Sequence, residues 1–77
     1  MERLEERYIT PSGDDWEIWL VVYDFDRYAR GGRDEIMQYK KNGREVGHIT
    51  RHLDANGKLL QENVHGITAV PPDAGRV

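Results

Sequence analysis

Two Asn-Gly pairs, Asn42-Gly43 and Asn56-Gly57, stand fourteen residues apart, and the residues around each alternate apolar with polar rather than following a helical repeat. A two-residue type I′ turn needs positive φ at both central positions, and Asn followed by Gly supplies this at the least steric cost. Two such turns at this spacing predict an antiparallel meander and constrain half the chain.

A two-residue loop pairs the positions symmetric about it. Around Asn42-Gly43 this sets Lys41 opposite Arg44, Lys40 opposite Glu45, Tyr39 opposite Val46, Met37 opposite His48 and Ile36 opposite Ile49. Around Asn56-Gly57 it sets Leu53 opposite Leu60, Arg51 opposite Glu62, Ile49 opposite Val64 and His48 opposite His65. Cross-strand partners share a face. Ile36, Ile49, Leu53, Leu60 and Val64 are therefore expected on an apolar side, and His48, Thr50, His52, Gln61, Asn63 and His65 on a wet one. A three-residue loop with a glycine bulge at Gly57 would place Ile49 opposite Asn63 and spoil the pattern, whereas a four-residue loop would keep the faces.

Upstream, Met1 to Ile9 reads as a strand, although Leu4 and Tyr8 also fit a helical stripe. Pro11-Ser12-Gly13-Asp14-Asp15 is dense in turn formers and reverses the chain into Trp16 to Phe25, a run rich in aromatic and β-branched residues. A loop from Asp26 to Arg33 follows. The expected architecture is mainly β, a small antiparallel meander of four to five strands filling residues 1–70, with a flexible C-terminal tail over 71–77. The alternative is α+β, with one short helix near 34–41 started by Asp34-Glu35 and capped by Asn42-Gly43.

With 77 residues, 38% of them apolar, the chain allows one small core. A domain of this size buries only about 60% of its unfolded surface, so disulfides, metals or oligomerisation commonly reinforce it. Cysteine is absent, which removes the first of these and is compatible with a reducing compartment. The acidic opening Met1-Glu2-Arg3-Leu4-Glu5-Glu6 lacks the basic and apolar blocks of a signal peptide, so the expectation is a cytoplasmic protein. The longest apolar run, Ile18 to Tyr23, has six residues, against the roughly 20 a spanning helix needs.

Trp16 to Phe25 is apolar on both faces and calls for cover on both, yet no long amphipathic helix is available as a second layer. Either the sheet curls and its ends wrap over it, or Trp19, Tyr23 and Phe25 meet another protein. Aromatic residues are favoured anchors for such contacts. The resulting expectation is a non-enzymatic protein-interaction module, working as a homodimer or as an adaptor or inhibitor on a larger protein.

Residues 1–26 carry eight acids against Arg3 and Arg7, a balance of −6, residues 27–58 reverse this to +4, and residues 59–77 add −1. Acidic and basic strands that neutralise each other account for this polarity, and so does a partner footprint. The alternative function is nucleic-acid binding through the basic loop 27–33 and the hairpin tip 40–44, with Arg30, Arg33, Lys40, Lys41 and Arg44 on phosphates and Tyr28 and Tyr39 stacking. His48, His52 and His65 share the wet face, where His48 opposite His65 has the makings of two zinc ligands. No cysteine assists them, and solvated histidines are the expected state. The pairs Asp14-Asp15 and Asp24 with Asp26 read as turn and strand-end residues rather than as a general acid and base. Ser12 has no base beside it. No catalytic residue, metal or cofactor is expected, and no membrane contact.

Overall fold

The computed structural model describes residues 1–24 and 32–77, and they form one antiparallel sheet without a helix. Its strands are β1 (Glu2–Ile9), β2 (Asp15–Asp24), β3 (Arg33–Lys41), β4 (Arg44–Leu53), β5 (Leu59–Gly66) and β6 (Gly75–Arg76). They lie in the order β5-β4-β3-β2-β1-β6, so the first five form the expected meander. β3 covers the stretch for which a helix near 34–41 was the alternative, and that alternative is excluded. No helix among the described residues is long and apolar enough to cross a membrane.

The three hairpin turns that lie wholly among the described residues use two kinds of turn chemistry. Asn42 and Gly43 adopt φ of 52° and 82°, the two positive values a type I′ turn requires. Asn42 also reaches out of its hairpin: its Oδ1 accepts from Asp15 N at 2.9 Å, and its Nδ2 donates to Asp14 Oδ1 at 3.0 Å. The second Asn-Gly pair departs from expectation. Gly57 N donates to Asp54 O at 3.0 Å and Asp54 N to Lys58 O at 2.9 Å, which is a three-residue loop closed by a glycine bulge, with φ positive only at Gly57. Asp54 Oδ1 stabilises it by accepting from Asn56 N and Lys58 N. Thr10 and Gly13 build the same loop between β1 and β2.

The bulge at Gly57 does not move Ile49, because a second irregularity beside Leu53 absorbs the extra residue. Leu53 pairs with Leu59, but His52 pairs with Gln61, and from there Arg51 meets Glu62, Ile49 meets Val64 and His48 meets His65. In the first hairpin an irregularity stands uncorrected. Lys40 faces Glu45 but Tyr39 faces Gly47, so Met37 meets Ile49 and Ile36 meets Thr50. Ile36 therefore lies on the histidine side, not with Ile49 as expected. The extra residue is Val46, whose carbonyl is turned to accept from Ile67 N at 3.0 Å.

That bond marks a crossing. β5 and β6 occupy opposite edges, so the chain between them must traverse the sheet. Gly66 to Gly75 spans nine residues, a reach of about 30 Å when extended, against about 24 Å for five strand spacings. A Cβ on Gly47 would run into the backbone of Ile67, which places the crossing on the face of Gly47 and its partner Tyr39. Ile18 pairs with Tyr39 and shares that face with Trp16, and both are buried. Val21, the third buried apolar side chain among the described residues, belongs to the opposite face. Within 71–77, read above as a tail, Gly75 and Arg76 pair with Ile9 and Tyr8, and Val77 N donates to Arg7 O at 2.9 Å.

Candidate protein-interaction surface

The register sorts the side chains onto two faces. One carries Trp16, Ile18, Leu20, Met37, Tyr39, Ile49 and Val64, with the 67–74 crossing over the end that holds Trp16 and Ile18. The other carries Leu4, Trp19, Val21, Tyr23 and Ile36, then Thr50 with the three histidines.

Trp19 and Tyr23 lie on this second face with Val21 between them. Trp19 is half-buried, pairs with Leu4 and Gln38, and has Lys40 Nζ 5.1 Å from its ring centroid. Its Nε1 is buried and finds no hydrogen-bond partner among the described residues. Tyr23 is 44% exposed. The structure thus brings these two candidate interface residues onto one face, while Phe25 lies outside the described residues.

The basic candidates are dispersed. Arg33 pairs with Glu35 at 3.0 Å, Lys41 stands 3.8 Å from Asp14 and 6.0 Å from the Trp16 centroid, and Lys40 lies over Trp19 with Glu17 and Glu45 as its strand neighbours. Arg44 has no ion-pair partner among the described residues. Arg30 and Tyr28 lie outside them.

The histidines take separate partners. His48 and His65 meet across β4 and β5 with ring centroids 4.9 Å apart, and His48 Nδ1 is 3.5 Å from Glu45. His52 Nδ1 contacts Asp34 Oδ1, its neighbour on β3. That pair lines a cavity of about 340 Å³ with Tyr23, Ile36 and Thr50. Among the described residues no three His, Asp or Glu side chains converge as a metal site would need.

Where the Asn42 turn meets the start of β2, carboxylates are held ionised. Asn42 donating to Asp14, with Lys41 nearby, draws the Asp14 carboxyl below its ordinary range. Arg7 Nε and Nη2 donate to the two Asp15 oxygens at 3.0 and 2.9 Å, which lowers the Asp15 carboxyl and raises the Arg7 guanidinium.

The β5 edge was not legible as a surface. Leu60 and Val64, expected in the core, are 64% and 56% exposed, and every residue of β5 is exposed. Among the described residues the segment that crosses the sheet, 67–74, runs over the end that holds Trp16 and Ile18 and leaves this half of the apolar face open. The signal available in the sequence was the absence of lysine, arginine and proline from Leu59 to Gly66. Comparison with protein-family models, curated proteins and solved structures finds no match to this chain.

Proposed function

We propose that this chain is a non-enzymatic protein-interaction module, acting as a homodimer or as an adaptor or inhibitor bound to a larger protein. The observation that carries the reading is a single-layer sheet with large apolar side chains left uncovered: Leu4 and Tyr23 on one face, Val64 on the other, and Leu59, Leu60 and Ile67 towards the β5 edge. Leu59, Leu60 and Val64 follow one another along β5, and exposed apolar side chains grouped in this way support a contact site. Trp19 and Tyr23 are the anchors on the second face, since their rings give large contact area at low entropic cost.

Nucleic-acid binding is less well supported, because Arg33, Lys40 and Lys41 are already engaged with Glu35, Trp19 and Asp14. Light scattering of the wild type over a concentration series, beside Trp19→Ala and Tyr23→Ala, tests the reading. A concentration-dependent mass supports it, with loss in a folded variant assigning the contact to Trp19 and Tyr23 and persistence in both assigning it to another part of the sheet. A wild type that stays single while binding DNA or RNA with a steep loss on adding salt would transfer the function to the basic residues.

A further inference from the structure

The sheet guards one of its edges and leaves the other open. On the β1 side, β6 covers Tyr8 and Ile9, Glu5 is an extra residue that breaks the register, and Glu2, Arg3, Glu5 and Glu6 place charge along the remainder. These are the devices by which proteins discourage edge pairing. β5 has none of them from Gln61 to Gly66, where the register runs unbroken. Its one charge, Glu62, is held by Arg51 Nε of its own sheet at 2.8 Å.

We infer that β5 pairs antiparallel with β5 of a second copy, centred on Asn63. This rests on the protein-association reading and places the contact between copies at the β5 edge, which leaves the Trp19-Tyr23 face, on β2, open to a larger protein. A twofold axis normal to the sheet keeps each face continuous, so only registers pairing residues of like parity are allowed. Two of these overlap the strand most fully, one centred on Glu62 and one on Asn63. The first sets Glu62 against its own copy, and like charges directly opposite are unfavourable. The second sets Asn63 against Asn63, Gln61 against His65 and Glu62 against Val64. Asn63 meets its own copy as amide to amide there, Gln61 meets an imidazole, and each Glu62 is kept apart from the other. A foreign strand would need the same alternation, which a second copy supplies by symmetry. The guarded β1 edge stops the assembly at two copies rather than letting it grow into a filament. The dimer aligns two Trp19-Tyr23 faces on one side of a continuous sheet.

The register makes a charge test possible. Val64→Glu places a carboxylate opposite Glu62 of the second copy, and Val64→Lys places an ammonium there. Dimer dissociation measured by sedimentation equilibrium is expected to weaken roughly tenfold in the first variant and to hold or tighten in the second, given the strength of cross-strand charge pairs. Both changes are at an exposed position, and circular dichroism checks that the sheet persists. Because the chain has no cysteine, Asn63→Cys should oxidise to a disulfide dimer far faster than Ser12→Cys on the remote turn. A wild type that remains single at every concentration overturns the proposal, as does growth beyond two copies. A dimer that ignores both Val64 variants and cross-links no faster at position 63 than at 12 overturns it too, while leaving the association reading standing.

Discussion

The backbone of Ile67 crosses directly over Gly47, so close that a Cβ at position 47 would overlap the Ile67 peptide, and Ile67 N donates to the carbonyl of the preceding residue, Val46, at 3.0 Å. This contact explains the irregularity in β4: an extra residue bends the strand so that the Val46 carbonyl reaches the crossing chain. It also explains why Trp16 and Ile18 are buried in a sheet with no second layer, since the crossing passes over their face.

Gly47→Ala should therefore be among the more damaging single changes. The colliding atoms are backbone, not the end of a flexible side chain, so relief requires lifting the crossing off the sheet. Overpacking of this kind costs about 1–3 kcal/mol. A urea titration should show a lowered midpoint, with Trp16 fluorescence shifted to longer wavelength if the crossing lifts. An unchanged midpoint would mean that the crossing does not hold this position in solution.

The two Asn-Gly pairs should respond differently to the same substitution. Asn42 occupies a positive φ and bonds to both Asp14 and Asp15, so Asn42→Ala is expected to cost about 1–2 kcal/mol. Asn42→Gly, which keeps the φ and loses the bonds, should fall between. Asn56 has neither feature, and Asn56→Ala should stay within about 0.5 kcal/mol of wild type. Equal costs at the two sites would contradict the turn assignments.

Asn42 and Asn56 also show how much of the fold the sequence discloses. Both were legible as reversals, because the turn preference of Asn-Gly is local. Which turn each adopts was not, because Asp54 supplies the acceptor for a three-residue loop at Asn56, and nothing near Asn42 competes with the type I′ geometry. The faces of Ile49, His48 and Val64 survived because two irregularities cancel within one hairpin. Ile36 changed face because the irregularity at Val46 answers to Ile67, twenty-one residues away. Of the candidate site, Trp19 and Tyr23 on a common face followed from strand alternation alone. The exposure of Leu60 and Val64 did not, since it depends on where the crossing segment lies.

Acid should weaken the fold through Asp14 and Asp15. Their carboxyls titrate lower in the folded chain than in the unfolded one, because Asn42 and Arg7 donate to the charged forms. The unfolded chain then binds more protons as acid is added, so the stabilisation is complete above the unfolded value near pH 4 and disappears as pH falls through the folded values. Both groups are half-buried but open to solvent, so added salt should flatten the dependence. Midpoints of urea unfolding for wild type and Asp15→Asn should differ at pH 6 and converge towards pH 2. Parallel curves across that range would show that the Arg7 contact is not formed in solution.

The proton on His52 is fixed by Asp34. A carboxylate only accepts hydrogen bonds, so the contact between Asp34 Oδ1 and His52 Nδ1 requires the proton of the neutral ring to sit on Nδ1. This leaves Nε2 bare as an acceptor, in a side chain that lines the cavity with Tyr23, Ile36 and Thr50. Long-range nitrogen–proton correlation spectra at a pH where the ring is neutral should show Nδ1 protonated and Nε2 not. In Asp34→Asn the amide can donate as well as accept, so the constraint is lifted and the opposite tautomer should gain population. His65, whose neighbour is a ring and not a carboxylate, serves as the internal comparison. A wild-type ring protonated on Nε2 would mean that Asp34 does not orient it, and the cavity would then meet any ligand with a donor instead of an acceptor.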